Sequence, residues 1–228
     1  EPITAYRYKK GSLDTMPKRD HISMSVVRRL PRYYRFLSEL RDKGVVRISS
    51  RELSIKMGLT ASQIRQDLNC FGGFGQQGYG YLVDQLQKEI GNILGLSHSY
   101  RAILIGAGNL GRAVATHMSF EARGFTMTGI FDKNPSLIGG EIRGIKVLPI
   151  DQLESFCRQN KPDMAVLCVP RDSVAQLAEG MYALGIKNYR NFSHYDLTIR
   201  HSDVIVENVH MSDSLMTLCY RISEKNKD

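Results

Sequence analysis

The sequence predicts an α/β protein with two domains, and three observations support that prediction. A strand, a glycine-rich turn, a helix and a second strand follow one another over residues 101–132. Two short helices with capping signals precede this unit. The excess positive charge lies in residues 1–95, which hold 16 Lys and Arg against 9 Asp and Glu, whereas residues 96–228 hold 15 against 14. We therefore expect an N-terminal winged helix-turn-helix domain and a C-terminal Rossmann-like domain with a doubly wound parallel sheet.

Changes in periodicity place the predicted boundaries. They delimit an irregular N-terminal arm at 1–15, a winged-helix domain with its connecting helix at 16–95, a Rossmann domain at 96–208 and a C-terminal helix at 209–228. No apolar run approaches the roughly 20 residues of a membrane span. The four cysteines lack CxxC pairing and metal-ligand spacing, as is typical of a reducing compartment. We expect a cytoplasmic protein without a membrane partner or a metal.

The glycine-rich unit has the pattern of a dinucleotide-binding site. Residues 102–105 form an apolar strand, a Gly-x-Gly-x-x-Gly turn follows, residues 112–120 continue as a helix, and a second strand at 125–131 ends in an acid. The helix N-terminus suits a pyrophosphate, and the acid suits a free ribose diol, so the pattern favours NAD(H) over NADP(H). The alternative is a glycine turn that binds nothing. The candidate cofactor residues here are Gly106, Ala107, Gly108, Asn109, Leu110, Gly111, Asp132 and Lys133.

The remaining C-terminal pattern continues the alternation of strands and helices. The predicted strands are 145–148, 164–169, 186–190 and 204–206, and the predicted helices are 151–159 and 172–183. Ligands bind at the carboxyl ends of the strands in open parallel sheets. We therefore expect Val169, Pro170, Asn191 and Phe192 to line the cofactor site, the alternative being ordinary loops after buried strands.

The N-terminal half predicts a helix-turn-helix. Apolar and aromatic residues recur at helical spacing from Val26, and Pro31 marks either a kink or the true first turn of a helix that extends to about Lys43. Ser49 lies three residues before Glu52, and Thr60 has the same spacing to Gln63, so each pair has the spacing of a capping box. The two helices that follow end near Gly58 and at about residue 71. The alternative is a helical dimerisation or packing module that binds no DNA.

Residues 71–81 interleave glycines with aromatic residues, which predicts a β-hairpin wing, and residues 82–95 predict the connecting helix. Polar residues on the second helix and at the tip of the wing suit base edges and phosphates. The candidate DNA-binding residues are Ser49, Ser50, Thr60, Ser62, Gln63, Arg65, Gln66, Asn69, Phe74, Gln76, Gln77 and Tyr79.

Over residues 20–225 the sequence resembles Rex, a family of bacterial redox-sensing transcriptional repressors. The segments that carry the resemblance are Tyr33-Tyr34-Arg35, 63–68, 71–81, 106–111, 131–135, 169–170 and 191–192. The resemblance implies a homodimer that binds an inverted repeat in promoter DNA, expected to be AT-rich, when NADH is scarce. It also implies release by NADH and competition by NAD+, both acting as ligands and not as redox substrates.

The tail at 209–222 has apolar residues at helical spacing, namely Val209, Leu215, Leu218, Cys219 and Ile222. From the spacing alone, this helix packs either on its own sheet or on a partner subunit. The resemblance implies the second arrangement, in which the helix is exchanged between the subunits of a dimer.

The sequence departs from the family at the residues that couple its two domains. Family members use an Arg–Tyr–Asp arrangement. Arg35 matches the arginine, but His117 and His210 stand at the tyrosine and aspartate positions. Two histidines cannot supply a carboxylate to Arg35, and the alternative is that each is an ordinary helix-surface or packed residue. If they do couple the domains, the response to NADH is expected to depend on pH near 6.5, where imidazole ordinarily titrates.

Two other functions remain open at this point. One is an NAD-dependent oxidoreductase with a basic N-terminal extension. Against it, the nucleotide fold occupies residues 96–228 and leaves no substrate domain, and the Tyr-x-x-x-Lys spacing of Tyr6 and Lys10 falls in the irregular arm. The other is a DNA-binding protein that responds to coenzyme A, against which Asp132 argues because a free ribose diol suits it better.

Overall fold

A computed structural model describes residues 22–72, 74 and 79–226. Contacts divide the chain into two compact units, with the division between Ser97 and His98. The predicted arm at 1–15 lies outside the described residues, as do Gln76 and Gln77.

The N-terminal unit consists of short helices and one two-stranded ribbon. The helices are α1 (Met24–Val27), α2 (Leu30–Asp42), α3 (Ser50–Met57), α4 (Ala61–Asn69) and α5 (Val83–Ile93), and the strands are β1 (Arg47–Ile48) and β2 (Tyr81–Leu82). Buried aliphatic and aromatic residues of these helices form one core around Tyr33, Leu37, Leu53 and Ile64. The amphipathic patterns therefore predicted the packed faces.

The capping signals of the helix-turn-helix are confirmed for α3. The Ser49 side chain accepts from the Glu52 N–H, and the Glu52 carboxylate accepts from the Ser49 N–H at 2.8 Å. The helix ends at Gly58, whose φ of 61° suits glycine. At α4 only half of the expected box forms: Thr60 accepts from the Gln63 N–H. The Gln63 amide donates instead to a buried carboxylate, described below.

The observed ribbon pairs the end of the predicted wing with a segment before α3. Strands β1 and β2 are antiparallel, with Ile48 opposite Tyr81. The described residues of 71–80 form no strand, so the hairpin predicted over 71–81 stays a prediction. A Cβ atom on Gly80, whose φ is +69°, would lie 2.6 Å from the Ile48 carbonyl oxygen. Only glycine fits this close approach. The glutamine tip of the wing lies outside the described residues.

The C-terminal unit has a seven-stranded sheet with the order β5-β6-β4-β3-β7-β8-β9. Its strands are β3 (Tyr100–Ile105), β4 (Phe125–Asp132), β5 (Glu141–Ile142), β6 (Ile145–Pro149), β7 (Met164–Leu167), β8 (Asn188–Asn191) and β9 (Ile205–Asn208). All neighbouring pairs are parallel except β5 and β6. The chain proceeds from β3 to one side of the sheet and later returns to its other side, which makes the end of β3 a topological switch point.

Three helices of this unit, α6 (Asn109–His117), α7 (Leu153–Asn160) and α8 (Arg171–Ala183), cover the two faces of the sheet. The last helix, α9 (Met211–Lys225), follows β9 and has no buried residue among those described. Ile103 and Ile105 of β3 pack with residues of α7 and α8, whereas Leu104 packs with residues of α6. This is the alternation expected of a strand buried on both sides. None of the helices in the described part of the chain is both long and apolar enough to cross a membrane.

Several boundaries differ from the sequence prediction. The ends of β7, β8, β9, α4 and α5 are shifted by one or two residues. Helix α6 ends at His117 and not at 120, because Met118 is extended and a separate 3-10 turn follows at Glu121–Arg123. The predicted helix at 151–159 starts as a 3-10 turn, and α7 begins only at Leu153. The antiparallel strand β5 was not predicted, because it is two residues long and joins β6 through a tight turn.

We predict that Gly111→Ala lowers the free energy of unfolding by about 3 kcal/mol, because the added methyl group would clash with backbone atoms that cannot move aside without distorting the turn. A Cβ atom at this position would lie 1.7 Å from the Gly106 carbonyl oxygen. Urea unfolding followed by circular dichroism measures the change. Gly180→Ala in α8 is the matched control, since nothing lies within 4 Å of its Cβ position. Equal stability of the two variants would contradict the packing constraint.

Candidate ligand pocket and nucleic-acid surface

A cavity of about 540 Å³ lies at the carboxyl ends of β3, β4 and β7. Of the predicted cofactor residues, six line it: Gly106, Gly108, Asp132, Lys133, Val169 and Pro170. They come from three loops separated along the chain, which the parallel sheet brings to one edge. The switch point predicted by the topology is thus an open pocket of a size suited to a small ligand.

The glycines of the turn have different surroundings. Gly106 has a φ of +98°, and a Cβ atom there would lie 2.5 Å from the Cys168 carbonyl oxygen, so the ends of β3 and β7 approach closely. Gly108 has nothing within 4 Å of its Cβ position and forms part of the pocket wall. It is also the N-cap of α6, where no side chain caps the helix. Backbone N–H groups at this helix end therefore suit an anionic ligand group.

Asp132 is fixed at the pocket wall by backbone donors. Its Oδ2 accepts from the Ala107 N–H at 2.6 Å, and its Oδ1 accepts from the Asn134 N–H at 2.8 Å. Each carboxylate oxygen has a further lone pair. The carboxylate thus ties β4 to the glycine turn and can accept from ligand hydroxyls, whereas its charge disfavours a phosphate at the same place.

Sequence reasoning missed the part of the pocket that α8 supplies. The lining residues that were not predicted are Ile105, Asn134, Leu137, Ile150, Cys168, Asp172, Ser173, Gln176 and Leu177. Four of them lie in the first two turns of α8, at the helical spacing of 172, 173, 176 and 177. That spacing, directly after a strand that ends at the pocket, is the signal that could have found them.

The other predicted cofactor residues do not line this cavity. Ala107 and Gly111 are buried beneath the turn, while Asn109 and Leu110 begin α6. The Asn191 amide donates to the Tyr195 carbonyl and the Asn208 side chain. Phe192 packs on the core of the α6 side of the sheet. Their contact with a ligand stays a prediction.

Cys168 lines the pocket but is not poised to react as a thiolate. Burial raises the pKa of its thiol to about 12. Because the thiolate is the reactive form of cysteine, this side chain stays protonated and inert near neutral pH. A redox signal at this pocket is therefore better carried by a bound ligand than by the thiol.

In the N-terminal unit, α4 presents polar side chains to solvent. Ser62, Arg65, Gln66 and Asn69 are exposed, whereas Ile64 and Leu68 are buried on the opposite face. Arg65 donates to the hydroxyl of Ser50 at 3.0 Å, which places both at the surface shared by α3 and α4. Tyr79 is exposed as well. These residue types on one helix face suit hydrogen bonds to base edges and phosphates.

The other predicted DNA-binding residues have structural partners. Ser49 and Thr60 cap α3 and α4, as described above. Gln63 donates to Asp67 at 2.8 Å, and Phe74 packs on the hydrophobic core. Direct DNA contacts by these four side chains stay predictions.

A buried carboxylate fixes α4 to α2, and the sequence analysis did not find it. Asp67 is 1% exposed. The Asp67 carboxylate accepts two hydrogen bonds from the Arg29 guanidinium at 2.7 Å, one from the Tyr33 hydroxyl at 2.9 Å and one from the Gln63 amide at 2.8 Å. Burial alone would raise the pKa of Asp67, but these hydrogen bonds outweigh burial and lower it. The charged carboxylate thus holds the polar face of α4 in a fixed orientation.

The predicted coupling residues lie in different units. Arg35 is exposed on α2, and His117 is exposed at the last position of α6. His210 precedes α9, and its Nδ1 lies 2.6 Å from Nδ1 of His194. Coupling through these residues stays a prediction.

Comparison with known protein families matches the two units of the chain separately. A family model described as a putative DNA-binding protein N-terminus matches residues 21–69, and one described as a CoA binding domain matches residues 97–195. The redox-sensing transcriptional repressor Rex of Thermoanaerobacter pseudethanolicus is 55% identical over 210 residues, which cover 92% of this chain and 93% of that protein. The Rex protein of Clostridium botulinum strain Hall is 52% identical over 209 residues, or 92% and 99% of the two chains.

Solved structures of one repressor, RSP, are similar to this chain over 90% of its length. The structure of RSP in complex with beta-NAD+ and operator DNA has a TM-score of 0.83 at 54% identity, and covers 90% of this chain and 94% of RSP. The structure of RSP, a Rex-family repressor, with beta-NADH has a TM-score of 0.82 at 51% identity, with coverage of 90% and 96%.

We predict that Asp67→Asn lowers the free energy of unfolding by about 2–3 kcal/mol, because it leaves the Arg29 guanidinium without its carboxylate. Urea unfolding and hydrogen exchange of the amides in α2 and α4 measure the loss. Asp42→Asn is the control, because the Asp42 side chain is 69% exposed. Equal stability of the two variants would contradict a stabilising role for the network.

The pH dependence gives an independent check of the same network. A carboxyl with a lowered pKa in the folded state contributes stability above its unfolded value of about 3.9, and that contribution is lost as pH falls through the folded value. The wild type is therefore expected to lose protection of α4 below about pH 4. The Asp67→Asn variant should not show the part of this loss of protection that protonation of Asp67 causes.

Proposed function

Because the chain belongs to the Rex family of redox-sensing transcriptional repressors, we propose that it binds operator DNA in promoters and leaves it when NADH binds. The observation that carries the proposal is the combination, in one chain, of a polar recognition helix and a strand-end pocket with a fixed acid. The family consists of regulators and not of enzymes.

The pocket supports NAD(H) as the ligand. In the proposed arrangement the pyrophosphate lies at Gly108 and the N-terminus of α6, and the ribose hydroxyls of the adenosine lie at Asp132. Lys133 lies beside that ribose. The family model for residues 97–195 is named for coenzyme A, but RSP, which is 51–54% identical, has been solved with NAD+ and with NADH. Coenzyme A, which carries a ribose phosphate, fits the Asp132 carboxylate less well.

On the DNA side, we assign the contacts to base edges to α4, through Arg65, Gln66 and Asn69. Ser50 and Ser62 are suited to phosphate contacts, because their short side chains lie at the ends of the helices. A homodimer would place two such helices on the two halves of an inverted repeat. The division at residues 97 and 98 is consistent with a DNA-binding domain at 16–95 and a ligand domain at 96–208. A repressor of promoters would act in the cytoplasm.

The exposed surface of α9 supports a dimer in which this helix is exchanged. None of its described residues is buried. Six of its large apolar residues are at least half exposed, namely Met211, Leu215, Met216, Leu218, Tyr220 and Ile222. A separate cavity of about 370 Å³ in the same unit has apolar walls that include Tyr100, Phe120 and Phe125. In the proposed dimer, the partner subunit covers these apolar surfaces.

A redox signal requires that NADH and NAD+ differ in effect. If NADH and NAD+ had the same ratio of affinities for the DNA-binding state and the released state, both would shift the equilibrium between these states by the same amount. The test is a gel-shift titration of an operator complex with each nucleotide. NADH is expected to dissociate the complex and NAD+ to protect it by competition. Equal effects of the two would refute redox sensing.

We predict that Gly108→Ala weakens NADH binding by at least about tenfold with little change in stability. A methyl group at this position meets no protein atom within 4 Å but occupies the space where the pyrophosphate is expected. Fluorescence titration with NADH measures the affinity, and urea unfolding verifies the fold. Wild-type affinity in a folded variant would place the nucleotide elsewhere.

We predict that Leu215→Glu converts the dimer to a monomer, because a charge replaces an apolar contact in the interface. Light scattering after gel filtration should change from twice 25.8 kDa to 25.8 kDa. Ser223→Glu adds the same charge to an exposed polar position of α9 and should remain dimeric. A dimer in both variants would contradict burial of α9.

A further inference from the structure

Two histidine side chains meet where the C-terminal helix leaves the sheet. His210 directly precedes α9, and His194 lies in the turn after β8. Their Nδ1 atoms are 2.6 Å apart, and the rings stack with centroids 4.7 Å apart. Within the part of the chain that the structure describes, neither ring forms another hydrogen bond. The imidazole pair is thus the side-chain link between this turn and the start of α9.

The backbone around His194 holds its ring in place. Its φ of 58° lies in the left-handed region, which residues other than glycine rarely adopt. Asn191 fixes the turn, because its Oδ1 accepts from both the N–H and the hydroxyl of Ser193. The Nδ2 of Asn191 donates to Asn208 on β9 at 2.8 Å. The turn is therefore tied to the strand that leads to His210.

The short distance between the rings depends on their protonation. An Nδ1–Nδ1 hydrogen bond needs one N–H donor and one lone pair, so it forms when at most one ring is an imidazolium. When both rings are charged, two N–H groups point at each other and the rings repel. We propose that the His194–His210 pair is a proton-sensitive latch, which holds the start of α9 to the sheet and releases it when both imidazoles are protonated.

No carboxylate in the described part of the chain is in direct contact with the pair. The titratable and charged groups on the adjoining segments are Arg190 on β8, Tyr195 and Asp196 in the turn, Glu207 on β9 and Asp213 on α9. The Asp196 carboxylate accepts from the N–H and hydroxyl of Thr198. Among the described residues, no carboxylate forms a hydrogen bond or ion pair with either imidazole of the pair. A second proton on the pair therefore has no ion-pair partner in direct contact among these residues.

The latch controls the point where α9 is attached. Because no described residue of α9 is buried in this chain, the direction of the helix depends on its first turn. If α9 is the exchanged helix of the proposed dimer, opening of the latch changes how the subunits are linked and so alters the response to NADH. This consequence rests on the proposed function, whereas the latch itself does not.

Hydrogen exchange of the full chain tests the latch directly. With EDTA present, the opening constant of the amides at 213–216, corrected for the intrinsic exchange rate, should rise by about three- to tenfold from pH 7.5 to 5.5. This lies below the limit of about a hundredfold that uptake of one proton over two pH units sets. His194→Asn removes the imidazole but suits the left-handed backbone, and should abolish this rise. His98→Asn is the matched control and should retain it, because His98 is exposed and its ring contacts Tyr100 and not the pair. The latch is overturned if the opening constant of the wild type does not change with pH, or if His194→Asn shows the same rise as the wild type.

Operator binding then tests the regulatory consequence separately. The NADH concentration that releases half of a labelled operator is measured at pH 7.5 and 5.5 for the wild type and His194→Asn. A difference between the two proteins at pH 5.5 that vanishes at pH 7.5 supports the consequence, and identical values at both pH values overturn it. If neither protein binds operator DNA, the proposed function fails, while the exchange result still decides the latch.

Discussion

The pocket depends on the contact between two backbones at Gly106 and Gly111. The helix that follows β3 passes so close to the carbonyl of Gly106 that no side chain fits at Gly111. This contact places the N-terminus of α6 at the carboxyl ends of the central strands. Asp132 then bonds to the N–H of Ala107 and joins β4 to the same turn. A nucleotide-sized pocket with free helix N–H groups on one side and a fixed acid on the other is the result.

The N-terminal unit solves a similar positioning problem with charge. Helix α4, the proposed recognition helix, has a narrow apolar face, and Asp67 is buried within that face. Four hydrogen bonds from Arg29, Tyr33 and Gln63 compensate the buried carboxylate. The three from Arg29 and Tyr33, which lie outside α4, fix the rotation of this helix. A buried ion pair is a weak source of net stability but a strong constraint on geometry. For a helix that must present a few side chains to DNA, a fixed rotation is the useful property.

The sequence predicted the elements that have local signals. The capping box at Ser49, the strand that ends in Asp132 and the alternation along β3 depend on neighbours in the chain, so the pattern contains them. The network of Asp67 depends on Arg29, which is 38 residues away, and no local period marks it. The same reason explains why the pairing of His194 with His210 was missed. The α8 wall of the pocket did have a local signal, the helical spacing of its lining residues directly after β7, which the sequence analysis did not use. Strand β5 escaped because two residues are too few for a period.

Ligand and DNA are proposed to act on one equilibrium of the protein, and linkage makes their effects reciprocal. If saturating NADH weakens operator binding by some factor, saturating operator must weaken NADH binding by the same factor. The most direct test is the Kd of NADH, measured by fluorescence titration with and without saturating operator DNA. We predict a weaker Kd in the presence of DNA, by the factor that NADH imposes on DNA binding. An NADH affinity that operator DNA leaves unchanged would contradict the account.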